Sequence, residues 1–170
     1  MKILAISGSL RAASINSMLL RVMADVAPPG IEVRLYDGLG QLPLFNPDIA
    51  EPPAVVAVLR EALLAADAVV IASPEYAHGV TGAIKNGLDW MVGNESFIGK
   101  PVALLNASPR ATHAYASLRE TITVMSARVV EAASITLPLL GANLSEEAMR
   151  ADPHICGMLR AALLALKADQ

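Results

Sequence analysis

Near the start of the chain, Ser7, Gly8, Ser9, Arg11, Ser14, Asn16 and Ser17 crowd into eleven positions directly after an apolar run. Ser9, Ser14 and Ser17 can donate hydroxyl hydrogen bonds, and a guanidinium at position 11 can meet two phosphate oxygens at once. Gly8 between two serines permits a close, sharply bent backbone. A helix beginning near Asn16 would turn its free N–H groups, and their partial positive charge, toward the same point. The plainer alternative is a strand-to-helix turn with a Ser/Asn cap and a solvent-facing arginine. A nucleoside-triphosphate loop would need Gly-Lys-Ser/Thr, and a dinucleotide fingerprint three spaced glycines with a later acid; neither pattern is present. The residue types therefore suit one phosphate monoester.

A second cluster, Pro74, Glu75, Tyr76, His78 and Gly79, follows another apolar run and precedes a helical pattern carrying Lys85, Asn86, Asp89 and Trp90. Backbone N–H groups of a tight, proline-set loop can face the edge of a planar heterocycle, and Tyr76 or His78 can cover part of its face. Each has an ordinary alternative. His78 can cap or stay solvated, Lys85 and Asp89 can form a plain i,i+4 pair, and Trp90 suits core or interface packing.

The elements that must bring these clusters together follow from periodicity. Short β-branched runs predict strands over 2–7, 32–36, 68–73, 101–107 and 132–137, alternating with helices over 16–26, 53–66, 81–91, 115–130 and 153–168. The order βαβαβαβαβα predicts an α/β, doubly wound, five-stranded parallel sheet with helices on both faces. In the order 2-1-3-4-5 the first and third strands are neighbours, so both clusters border one crevice. Pro28, Pro29 and Gly30 stop the first helix, and Pro52 and Pro53 open the second. Residues 37–51 form the longest connection, with Leu42, Leu44 and Phe45 available to pack on the core or on a partner.

Length and composition bound the rest. A chain of 170 residues suits one domain over 1–170, and 54% hydrophobic with 17% charged residues argues against extended disorder. A net charge of −3 without a basic stripe argues against nucleic acid. The single cysteine, Cys156, offers neither an internal disulfide nor a metal cluster. No stretch approaches the roughly 20 apolar residues that span a bilayer, so a cytoplasmic protein without a membrane partner is expected.

Taken together, GSLRAASIN, LPLFNPD at 42–48 and PEYAHGVTGAIKNGLDW at 74–90 resemble the NADPH-dependent FMN reductases, flavodoxin-like quinone, chromate and azo-dye reductases. The resemblance implies a flavodoxin-like fold with FMN as cofactor. Ser9, Arg11, Asn16 and Ser17, with Ser14 assisting, would hold its phosphate. Pro74, Glu75, Tyr76, His78 and Gly79 would line the isoalloxazine. It further implies NADPH or NADH as donor and a quinone or similar small molecule as acceptor. A homodimer or homotetramer is expected, with the 85–90 region near the interface. Ser108 matches the family's serine after the fourth strand, but Thr112 and His113 stand where relatives usually carry paired glycines. Arg110 offers a contact to a pyridine-nucleotide phosphate or a solvent-exposed charge. No side chain is required as acid or base, and His78 is a candidate proton relay. An electron carrier without a pyridine-nucleotide site, a flavin-free regulatory domain and an unrelated phosphate-sugar enzyme are the alternatives.

Overall fold

A computed structural model describes Met1–Asp169. Its five strands are β1 (Lys2–Ser7), β2 (Glu32–Tyr36), β3 (Ala68–Ala72), β4 (Pro101–Leu105) and β5 (Arg128–Val129), all parallel, in the order β2-β1-β3-β4-β5. The helices are α1 (Ile15–Asp25), α2 (Ala54–Leu64), α3 (Gly82–Met91), α4 (Thr112–Val124), α5 (Glu146–Ala151) and α6 (Pro153–Ala168). The sheet order and the element sequence agree with the pattern read from the residues.

β3 and β4 are buried along their whole length, because helices cover both faces of the sheet. Alternate residues feed two cores. Ile3, Ala5, Val70 and Leu105 pack under α1 and α6, while Leu4, Ile6, Ile71 and Leu104 pack under α2, α3 and α4. Each fully buried leucine or isoleucine contributes roughly 1.5–3 kcal/mol, so these layers outweigh any single surface pair. The helix starts are capped as their sequences suggest. Thr81 accepts from the Ile84 N–H at 3.3 Å, and Asp152 accepts from the N–H groups of His154 and Ile155, with Pro153 at the first helical position.

Two expectations are corrected near the fourth crossover. The helix expected over 115–130 runs instead from Thr112 to Val124. It ends where Ser126 takes φ 63° and the Ala127 N–H reaches back to the Ile122 carbonyl at 3.2 Å, a left-handed terminus. The following residues are then free to pair with β4. The strand expected over 132–137 begins earlier, at Arg128–Val129, and breaks at a 3-10 turn over Glu131–Ala133. Beyond the break the chain rejoins β4 through Thr136 opposite Asn106.

Ser134 makes that interruption tolerable. Its hydroxyl donates to the Val130 carbonyl at 2.9 Å and accepts from the Leu104 N–H at 3.1 Å, filling the missing rung of the ladder. Ser134→Ala leaves the N–H of a fully buried strand residue without a partner. A loss of about 1–3 kcal/mol in urea unfolding is expected, with no change in oligomeric state.

Candidate functional site

Gly8 is where the two sequence clusters meet. Its N–H donates to the Ala72 carbonyl at 2.8 Å, extending the β1–β3 ladder past both strands, and its carbonyl accepts from the Thr81 hydroxyl at 2.5 Å. A Cβ at this position would lie 2.2 Å from Ser73 Oγ and 2.7 Å from Ser73 Cβ. Only glycine lets the loop after β1 touch the loop after β3 so closely.

Above this contact a cavity of about 470 Å³ opens at the C-terminal ends of β1, β3 and β4, the usual ligand crevice of such sheets. Ser9, Arg11, Ser14 and Asn16 line it from the first loop, Pro74, Glu75 and Tyr76 from the second, and Ser108 from the third. Of the expected contact residues, Ser17, His78 and Gly79 stand outside its wall. The Ser17 hydroxyl is 2.8 Å from Ser7 Oγ, behind the loop. Gly79 pairs its backbone with Tyr76 in both directions, at 2.9 and 3.1 Å, closing a two-residue turn. That turn holds Ala77 at φ 50° and His78 at φ 60°, with the His78 side chain 75% exposed.

The first loop is arranged around unmet polar groups. Ser14 caps α1, accepting from the Ser17 N–H at 3.5 Å, which aims the helix's first N–H groups at the cavity. Asn16 is 97% buried, being 3% exposed, yet its Oδ1 has no hydrogen-bond partner. Arg11 has no carboxylate partner among the described residues, although it lines the same cavity. A buried amide lacking a partner costs about 1–3 kcal/mol, and a ligand is one way to meet it. An amide, two hydroxyls, a guanidinium and a helix N-terminus suit a phosphate monoester, and the remaining volume is bounded by the proline-set loop.

Glu75 lines the cavity and also ties the second loop to α4. Its Oε2 accepts from the Ala114 N–H at 2.8 Å, capping α4 from another loop, and Oε1 lies 3.7 Å from His78 Nδ1. In the third loop Asn106 Oδ1 accepts from the Ser108 N–H at 3.0 Å, and Ser108 Oγ accepts from the Arg110 N–H at 3.3 Å. Lys85 and Asp89 form the ordinary helix pair at 2.5 Å, and Trp90 is buried with its Nε1–H on the Pro43 carbonyl at 2.8 Å.

Sequence reasoning missed the wall formed by Leu139, Leu140, Gly141, Asn143 and Leu144. Gly141 and Asn143 are turn formers at φ 89° and 50°, but nothing local says that this turn folds over the crevice. Two remote contacts put it there. The backbone of 135–140 zips along Asn106 and Ala107. Arg21 of α1 then holds Glu146 of α5 at 2.7 Å, while Arg150 bridges Glu146 and Asp25 at 2.9 and 2.6 Å.

The family model described as NADPH-dependent FMN reductase matches residues 1–139. An NAD(P)H-dependent FMN reductase of Pseudomonas aeruginosa is 44% identical over 112 residues, covering 63% of this chain and 60% of that protein. A quinone reductase of Escherichia coli K12 is 34% identical over 113 residues, covering 64% and 60%. The match thus spans about three fifths of these relatives' length. Among solved structures, the flavoenzyme NAD(P)H:(acceptor) oxidoreductase FerB of Paracoccus denitrificans superposes with a TM-score of 0.79 at 25% identity, covering 98% of this chain and 97% of that one.

The α1–α5 bridge gives the cavity wall a pH dependence. Hydrogen bonds from Arg21, then the charges of Arg21 and Arg150, hold the Glu146 carboxyl below its ordinary value of 4.5. Its folded value lies below its unfolded one, so the stabilisation is complete above pH 4.5 and disappears as pH falls through the folded value. The thermal midpoints of the parent and Glu146→Gln should therefore differ at pH 7 and converge as pH falls well below 4.5.

Proposed function

Because this chain belongs to the NADPH-dependent FMN reductase family, we propose that residues 1–170 act as one FMN-binding unit that passes electrons from NADPH or NADH to quinones or similar small acceptors. The observation that carries this reading is the buried Asn16 amide without a partner, set beside Arg11 at the N-terminus of α1. Ser9, Arg11, Ser14 and Asn16 bind the FMN phosphate, and Ser17 holds the loop from behind through Ser7. Pro74, Glu75, Tyr76 and Ser108 border the ring, with Gly79 closing the turn that carries Tyr76 and His78. FMN when bound supplies the two-electron chemistry, so the protein's task is to bind, orient and shield.

Titration of apo-protein with FMN, followed by anaerobic addition of NADPH or NADH, tests the reading. Stoichiometric binding and bleaching of the visible flavin band are expected. Binding without bleaching would make the protein an electron carrier, and no binding would remove the flavin function. Arg11→Ala removes a charge-assisted contact of about 1.5–3 kcal/mol, a weakening of roughly 10–100-fold. Asn16→Leu distinguishes ligand binding from packing. It should weaken FMN binding while leaving apo-protein stability level or raised, because it removes an unmet polar group.

The same reading includes self-association through α3. The 43–45 segment is tied to that helix by Asn86 and by a T-shaped Phe45–Trp90 contact at 5.2 Å, yet leaves Leu44 84% and Phe45 42% exposed. Sedimentation of the flavin-loaded protein at micromolar concentration should give a dimer or tetramer; a monomer would remove this part of the proposal.

A further inference from the structure

His78 and His113 border the cavity without lining it, and they touch each other. His78 lies two residues beyond Tyr76, and His113 two beyond Ala111, both cavity-wall residues. Their rings meet edge to face, with centroids 4.4 Å apart and planes at 77°. Glu75 joins the two loops from beneath. One carboxylate oxygen lies 3.7 Å from His78 Nδ1, and the other accepts from the N–H of Ala114, the residue next to His113. That leaves Nε2 as the His78 nitrogen not turned to the carboxylate.

The backbone under this trio is unusual. Ala77 and His78 occupy the left-handed region at φ 50° and 60° although neither is glycine, at a cost of roughly 1–2 kcal/mol each. Such strain persists where surrounding contacts hold it, commonly at ligand and catalytic sites. Here it goes with an exposed His78 ring set against His113. A flavin held in the cavity would leave an acceptor to approach beside Tyr76 and Ala111, the wall residues nearest in sequence to the two histidines.

Resting on the reductase reading above, we propose that Glu75, His78 and His113 form a proton-delivery site for a quinone acceptor, with His78 giving the proton and His113 positioning its ring. The quinone takes two electrons and one proton from the reduced cofactor, and its oxygen takes the second proton from the His78 imidazolium. The products are a hydroquinone, oxidised FMN and neutral His78, which solvent reprotonates because the side chain is exposed. The ionisable groups that face the ring are Glu75 from the second loop and His113 from the start of α4. Among the described residues no set of three or more His, Cys, Asp or Glu side chains is arranged to hold a metal ion.

The test uses FMN-loaded protein whose flavin is reduced with dithionite, which makes it independent of the pyridine-nucleotide donor. The reduced protein is mixed with 1,4-benzoquinone or with ferricyanide, which accepts electrons without a proton. His78→Asn, an asparagine being tolerant of the left-handed backbone, should lower the quinone-to-ferricyanide rate ratio about 100-fold, the scale of general acid catalysis. His113→Ala should lower it about tenfold, and His113→Phe, which keeps a ring in place, should restore it to within about threefold of the parent. Independently of turnover, the imidazole NMR signal assigned to His78 should move in His113→Ala and on adding hydroquinone to the oxidised protein. An unchanged ratio in His78→Asn would overturn the proton site while leaving the reductase reading intact. Equal damage from His113→Phe and His113→Ala would overturn the positioning role. Failure of apo-protein to take up FMN would overturn the reading, and the proton site with it.

Discussion

The cavity exists because two strands that are not consecutive in the chain run side by side and stay joined beyond their ends. The bond from the Gly8 N–H to the Ala72 carbonyl adds one rung to the β1–β3 ladder, and the Thr81 hydroxyl then binds the Gly8 carbonyl while capping α3. One backbone unit thus fixes the exit of β1, the exit of β3 and the start of a helix. A methyl group at Gly8 would collide with Ser73, so the loops would have to separate. Loops that separate would leave Ser9 and Arg11 on one side of the crevice and Pro74 and Tyr76 on the other with no fixed relation between them. Two independent surface loops cannot form a preorganised pocket, whereas two loops sharing a rung can.

That preorganisation sets polar groups against stability. Asn16 is held in the core of the loop with an unmet amide oxygen, and Ala77 and His78 keep a backbone conformation that side-chained residues avoid. Together these features cost a few kcal/mol by ordinary magnitudes. They are sustained by the two apolar layers around β3 and β4 rather than by surface charges, whose isolated pairs contribute about 0–1 kcal/mol each. The destabilising features gather in the two loops that flank one cavity, as expected when a ligand completes the hydrogen bonding of the folded chain.

What could be read in the residues was what local patterns determine. The apolar runs that became β1 and β2 gave their limits without change, and α6 followed from Asp152, Pro153 and its apolar repeat. The sheet order followed from the element count and the rule for parallel crossovers, and it brought the two polar clusters to one crevice. The misread stretch was 112–137, where β-branched residues suit helix and strand alike. There the outcome turned on two tertiary details, the left-handed Ser126 and the Ser134 hydroxyl filling a missing rung. Neither has a periodic signature. The orientation of Glu75 was equally hidden, since its partner, the Ala114 N–H, lies thirty-nine positions away.

The wall over 139–144 shows the same limit with a functional edge. It begins where the family match ends, at residue 139, and it is placed by ion pairs joining α1 to α5 across 125 positions of sequence. Each of the two polar loops, at 7–17 and 73–79, depends on residues within a few positions of one another. The far wall depends instead on surface charges that can be exchanged without touching either motif. Leu140 lines this wall and is 68% exposed, so its side chain is not fixed by core packing. A cavity built this way joins two kinds of wall: loops fixed by a shared backbone rung between β1 and β3, and an apolar border held by ion pairs between α1 and α5.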